Sequence, residues 1–132
     1  MKILLDTDIT SYIFSHRDER ARRRFLTFAM GDIGISAVTA AELAFGVEIN
    51  RSERNRLAVA RALESLVVAP FDAAAAAAYG RVRAVLQRLG TPIGPLDMMI
   101  AAHAISLGMP LATNNVREFR RVPGLRLENW LG

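Results

Sequence analysis

The chain has 132 residues, 52% of them apolar, and carries 17 basic against 13 acidic side chains for a formal charge of +4. That length fits a single domain over 1–132 that buries about two-thirds of its unfolded surface. With no cysteine there are no disulfides and no thiolate zinc site, which suits a reducing compartment.

No apolar run approaches the roughly 18 residues that cross a bilayer. The opening MKILLDTD has too little apolar length for a secretory signal. A soluble, cytoplasmic protein without membrane contact is therefore expected.

Residues 2–5 (KILL) read as a buried parallel strand, a short apolar run ending in a polar switch. A short helix is expected over 8–15, with Asp8 as its cap. Another is expected over 18–30, presenting an arginine-rich face and turning Phe25, Phe28 and Ala29 inward. A second strand over 33–36 leads into a helix over 39–48 capped by Thr39. A further helix over 52–64 is capped by Ser52, and a third strand covers 66–71. Asp72 caps a long helix to Leu89, whose Tyr79, Val82, Leu86 and Leu89 recur at helical spacing, and Gly90 stops it. After a loop at 90–95 come a helix over 96–107, a strand over 109–113, a polar turn at 113–119 and a last strand near 125–128. Strands alternating with helices predict a three-layer α/β/α sandwich around a parallel sheet of four to five strands. No GxGxxG or Walker A sequence is present, so nucleotide-cofactor loops are unsupported.

In such a sheet, sites form outside the carboxyl ends of the strands, near the point where strand order reverses. Asp6 ends the first strand, Glu42 opens the helix after the second, and Asp97 opens the helix that feeds the fourth. Thr113, Asn114 and Asn115 follow that fourth strand. Each acid alone has a structural reading. Asp6 or Asp8 can cap a helix, Glu42 can complete a capping box with Thr39, and Asp97 can offset a helix dipole. Three acids drawn from distant segments to one sheet edge are less easily dismissed. Two bare carboxylates about 4 Å apart repel by roughly 4 kcal/mol at an effective dielectric near 20, an arrangement a chain tolerates when a cation sits between them. Oxygen-only ligands suit hard ions such as Mg²⁺ or Mn²⁺.

Sixteen of the 17 basic residues are arginine, Lys2 being the only lysine. A basic chain whose candidate site is acidic suggests a polyanionic substrate bridged by metal. The arginine run at 17–24 reads as a solvated helix face, and Trp130 as packing for the last strand. His103 does not share the face of Asp97 and is expected to pack or lie at the surface. His16 is expected to be solvated.

Four blocks carry a resemblance: ILLDTDITSYI (3–13), ISAVTAAELAFGVE (35–48), PIGPLDMMIAAHAISLG (92–108) and TNNVREFRRVPGLRLENW (113–130). In this order and at these spacings the chain resembles the PIN-domain ribonucleases, specifically the VapC-type toxins of bacterial toxin–antitoxin pairs. The resemblance implies a parallel sheet between helices and Mg²⁺-dependent endonucleolytic cleavage of RNA by metal-activated water, with Mn²⁺ able to substitute. It maps the family's acids onto Asp6, Glu42 and Asp97. Asp6 and Asp97 would be the primary metal ligands. Glu42 would bind directly or through water, or orient the nucleophile. Thr7, Thr113, Asn114 and Asn115 would support the carboxylates or the phosphate by hydrogen bonds. Where a fourth acid often follows the TN pair, this chain has Asn115, with Glu118 one turn on, so either residue is a candidate for that place. The TNN…REF variant is similar to toxins that cut initiator transfer RNA. The resemblance further implies a homodimer and a cognate VapB-like antitoxin.

Two other readings are weighed against it. Asp6-Thr7-Asp8-Ile9-Thr10 satisfies the D-x-D-x-T pattern of haloacid-dehalogenase-like phosphatases, but that chemistry needs a lysine downstream, and Lys2 precedes Asp6. A non-catalytic RNA- or protein-binding module that keeps the fold is the second, motivated by the missing fourth acid.

Overall fold

The computed structural model describes residues 1–131; Gly132, the end of the expected 1–132 domain, lies outside the described residues. Five strands, β1 (Ile3–Leu5), β2 (Ile33–Ser36), β3 (Val67–Ala69), β4 (Leu111–Thr113) and β5 (Leu127–Asn129), form one sheet in the order β3-β2-β1-β4-β5. Every pairing is parallel. The connections are helical: α1 (Thr7–Phe14), α2 (Glu19–Phe25), α3 (Ala37–Asn50), α4 (Glu53–Ser65), α5 (Ala73–Leu89), α6 (Pro95–Leu107) and the single turn α7 (Val116–Phe119). Strand order reverses between β1 and β4.

The side-chain alternation of a strand builds two cores. Ile3 and Leu5 point to one face, where Ile9 and Ile13 of α1, Leu43 of α3, and Val59 and Ala62 of α4 pack with them. Leu4 points to the other, against Val82 and Leu86 of α5 and Ile100, Ala101 and Ala104 of α6. Leu111 and Ala112 of β4 divide between the faces in the same way. Helices on both faces make the expected three layers, and apolar residues directed to both sides explain why the central strands read as uninterrupted hydrophobic runs.

Several local expectations are corrected. The cap of α1 is Asp6, not Asp8. The cap of α3 is Ser36, whose hydroxyl accepts from the amide of Val38, so the helix begins before Thr39 and no capping box links Thr39 to Glu42. α2 ends at Phe25 and does not reach residue 30. There the hydroxyl and amide of Thr27 both donate to the carbonyl of Arg24, closing the last turn early, and leaving Ala29 exposed and Met30 93% exposed. The polar turn at 113–119 contains α7, and Leu89 is exposed beside the αL residue Gly90. The caps at Ser52 and Asp72 fall where expected, and Trp130 is buried with its ring stacked on Phe28, 5.6 Å between centroids.

Asp72 accepts from the amide of Ala75 at 3.0 Å and is the side-chain cap of the 17-residue α5. Asp72→Ala is expected to destabilise the fold by about 1 kcal/mol, read as a lower urea midpoint at unchanged slope. An unchanged midpoint would show that packing alone sets this helix start.

Candidate active site

The carboxyl end of β1 places Asp6 at the reversal of strand order, beside the end of β4. Its amide donates to the carbonyl of Ala112 at 3.0 Å, which fixes the backbone between strands. The side chain is 3% exposed. Oδ1 accepts from the amide of Ile9 at 2.8 Å, and Oδ2 accepts from the hydroxyl of Thr113 at 2.5 Å. Asp6 is thus a helix cap and a buried carboxyl at once. Burial pushes its pKa up from 3.8 to about 7, against the pull of the Thr113 and Ile9 hydrogen bonds and with smaller contributions from Asp8 and Glu42.

Glu42 lies in the second turn of α3 and is half-buried. The Thr7 hydroxyl, 3.1 Å from Oγ1 of Thr39, donates to Glu42 Oε1 at 2.7 Å. The residue after Asp6 therefore holds the acid that arrives from the neighbouring strand's helix.

Asp97 sits in the first turn of α6, which Pro95 opens at a position where a missing N–H is harmless. Its pKa is also pushed up to about 7, first by burial, then by the charge and hydrogen bonding of Glu118, and then by Glu42 and Asp6. A Cβ on Gly94 would lie 3.6 Å from Asp97 Oδ2 and 3.8 Å from Glu118 Oε1, so the two carboxyl groups meet over that glycine. Burial would raise the pKa of Glu118, but the amide of Gly94, the side chain of Asn115 and the hydrogen bond with Asp97 outweigh it and hold the group low. Within this pair Asp97 is pushed up and Glu118 is held low.

Asn115 Nδ2 donates to Glu118 Oε2 at 2.8 Å, and the amide of Gly94 donates to Oε1 at 3.1 Å. The Asn115 amide donates to the Thr113 hydroxyl at 2.8 Å. Between the two candidates for the fourth place, Glu118 brings the charge to Asp97 and Asn115 tethers it. Asn114 Oδ1 is buried with no hydrogen-bond partner among the described residues. Asp8 is exposed, and His16 is exposed as expected.

Two contributors were missed from the sequence. The backbone N–H of Gly94 carries no side-chain signal. Ser36 and His103 form a buried pair, His103 Nδ1 lying 2.7 Å from Ser36 Oγ. That contact joins α6, which carries Asp97, to the cap of α3, which carries Glu42. Burial holds the His103 pKa below its usual range, so the ring stays neutral.

Asp6, Glu42, Asp97 and Glu118 reach one sheet edge and act on one another electrostatically. They do not form a closed cage: among the described residues no three acidic or histidine side chains stand close enough to hold one ion as placed. The pKa values of Asp6 and Asp97 are pushed up to about 7, that of Glu118 is held low, and the Asn114 amide oxygen is unpartnered. This all-oxygen set fits a hard divalent cation, which would displace the protons and draw the carboxylates together.

Comparison with known proteins agrees with this geometry. A PIN domain model matches residues 3–125. The tRNA(fMet)-specific endonuclease VapC of Shigella flexneri is 44% identical over 98% of both chains. The chain belongs to the PIN-domain family, among its VapC ribonucleases. Among solved structures, the DNA-bound VapBC complex of Salmonella typhimurium contains a chain that is 41% identical with a TM-score of 0.90 over 98% of each chain. VapBC2 of Rickettsia felis, bound to a DNA fragment from its promoter, contains one at 34% identity and a TM-score of 0.88, covering 98% of this chain and 99% of that one. The PIN fold and family expected from the four sequence blocks are therefore those of this chain.

The sign of the pH dependence follows from the raised pKa of Asp6. In the metal-free protein the folded state binds a proton that the unfolded state has released between about pH 3.8 and 7. Stability from this group is fully present below the unfolded value and is lost as pH rises through 7. Asp6→Asn is expected to raise the melting temperature of metal-free protein at pH 8, while giving little change at pH 4. Equal melting shifts at both pH values would contradict the burial of an ionisable Asp6.

Proposed function

We propose that this chain is a metal-dependent endoribonuclease and the toxin of a toxin–antitoxin pair. The observation that carries this reading is the meeting of Asp6, Glu42, Asp97 and Glu118 at the strand-order reversal, with Asp6 and Asp97 pushed up to about 7. Metal dependence is general among nucleases of this family; Mg²⁺ is the ion we assign, with Mn²⁺ as a substitute. Relatives named as tRNA(fMet)-specific endonucleases at 44% and 41% identity support initiator tRNA as the substrate. Relatives solved as VapBC complexes support a VapB-like antitoxin as partner. Residues 1–132 act as one PIN unit, as a homodimer, in the cytoplasm. No helix among the described residues is long and apolar enough to cross a membrane.

When bound, the cation supplies Lewis-acid activation of water and neutralises charge on the scissile phosphate. Asp6 and Asp97 would hold it. Glu118, which hydrogen-bonds Asp97, would add the fourth carboxylate. Glu42, fixed by Thr7, would orient the attacking water or bind the cation through it. Thr113 and Asn115 keep Asp6 and Glu118 aimed, and Asn114 Oδ1 is free to accept from water or from the RNA. The position of Glu118 removes the motive for a non-catalytic module. The phosphatase reading lacks a lysine at the site, since Lys2 pairs with Asp32 at 3.7 Å.

Asp6→Ala and Asp97→Asn are each expected to abolish cleavage, by at least a factor of about 100, with circular dichroism unchanged. Sequencing of RNA 5′ ends after induction should show cuts that are lost in Asp6→Ala and suppressed by the co-expressed antitoxin. Cuts persisting in Asp6→Ala at the parental rate would refute the assignment.

A further inference from the structure

The arginine-rich α2 forms one wall of a groove. Arg20, Arg23 and Arg24 face Glu128, Asn129 and Trp130 across a space of about 580 Å³. Asn129 is the β5 register partner of Thr113, and neighbouring strands lie about 4.8 Å apart. Thr113 in turn hydrogen-bonds Asp6. The groove therefore opens on the β5 side, two strand spacings, or about 10 Å, from Asp6.

Its chemistry is that of a phosphate binder. Arg20 pairs with Asp18 and Arg24 with Glu128, each at 3.1 Å across exposed surface. Such solvent-facing pairs are weak and exchange readily for another anion. Arg23 makes no carboxylate pair among the described residues; its Nε reaches only the backbone carbonyl of Glu19, at 3.4 Å. The guanidinium fork matches phosphate oxygens two at a time. Trp130 is 5% exposed, with its ring against Phe28, so no open aromatic face is offered on which a base could stack. The groove is built to hold a backbone and not to read bases.

We infer that this groove binds the sugar–phosphate backbone of the RNA strand that flanks the scissile bond, with Arg20, Arg23 and Arg24 contacting successive phosphates. The inference rests on the ribonuclease reading and adds the path of the substrate to it. An acidic protein segment would match the charge, but continuity with the cutting site favours the strand that is cut.

The test uses the full chain in EDTA with a fluorescent single-stranded RNA, titrated over a series of salt concentrations. For single strands the slope of log affinity against log salt changes by about 0.7 per phosphate contact, so Arg20→Ala/Arg23→Ala should flatten it by about 1.4. Arg23→Glu, which breaks no ion pair, should weaken binding without altering the melting temperature. With metal restored, the loss in cleavage should fall on KM. Arg88→Ala, on the exposed side of α5, should retain the parental slope. Three results would overturn the inference: an unchanged slope in the double variant, an equal loss in Arg88→Ala, or lost antitoxin affinity with parental RNA binding. A parent that neither binds nor cuts RNA would instead sink the ribonuclease reading, and the groove assignment with it.

Discussion

A carboxyl group withheld from water at the end of the central strand is the constraint on which the rest of the site depends. β1 is hydrogen-bonded on both sides, by β2 and β4, so Asp6 cannot move outward without breaking the sheet. Its pKa near 7 represents on the order of 4 kcal/mol of discrimination against the ionised form. That is a large share of the roughly 5–15 kcal/mol that holds a domain together. The fold tolerates it because Thr113 and the Ile9 amide pin the carboxyl from both sides, and because a cation can offset the charge. In the metal-free site burial thus favours the neutral form of Asp6, while Glu118 is held low.

The other acids are held by partners from different segments. Thr7 fixes Glu42, Gly94 and Asn115 fix Glu118, and Glu118 hydrogen-bonds Asp97. His103 adds a mechanical link. Buried, it joins the helix of Asp97 to the cap of the helix of Glu42. The acids thus converge on one edge while remaining separately tethered, which explains why they share electrostatics without enclosing an ion.

The apolar runs at 2–5 and 33–36 and the helix caps at Ser52 and Asp72 were legible because each rests on local physics: side-chain alternation, or a short polar side chain before a helix. Asp6, Glu42 and Asp97 were legible because parallel topology sends strand ends to one edge. The start of α3 was misread at Thr39, since Ser36 serves both as the end of a strand and as a cap. The early end of α2 turned on a single hydroxyl at Thr27. The tether of Glu118 left no trace in the sequence, because it depends on Gly94, which lies 24 residues away and contributes only its backbone amide. The Ser36–His103 pair, separated by 67 positions, likewise leaves no periodic trace.

The most direct test is calorimetric titration of the metal-free protein with Mg²⁺ or Mn²⁺ at pH 7, in buffers of different ionisation enthalpy. The account predicts that binding releases about one to two protons, as expected when a cation takes over protonated ligands, and that Asp6→Asn loses both the affinity and the proton release. Binding of equal strength in Asp6→Asn, or binding by the parent with no proton released, would contradict it.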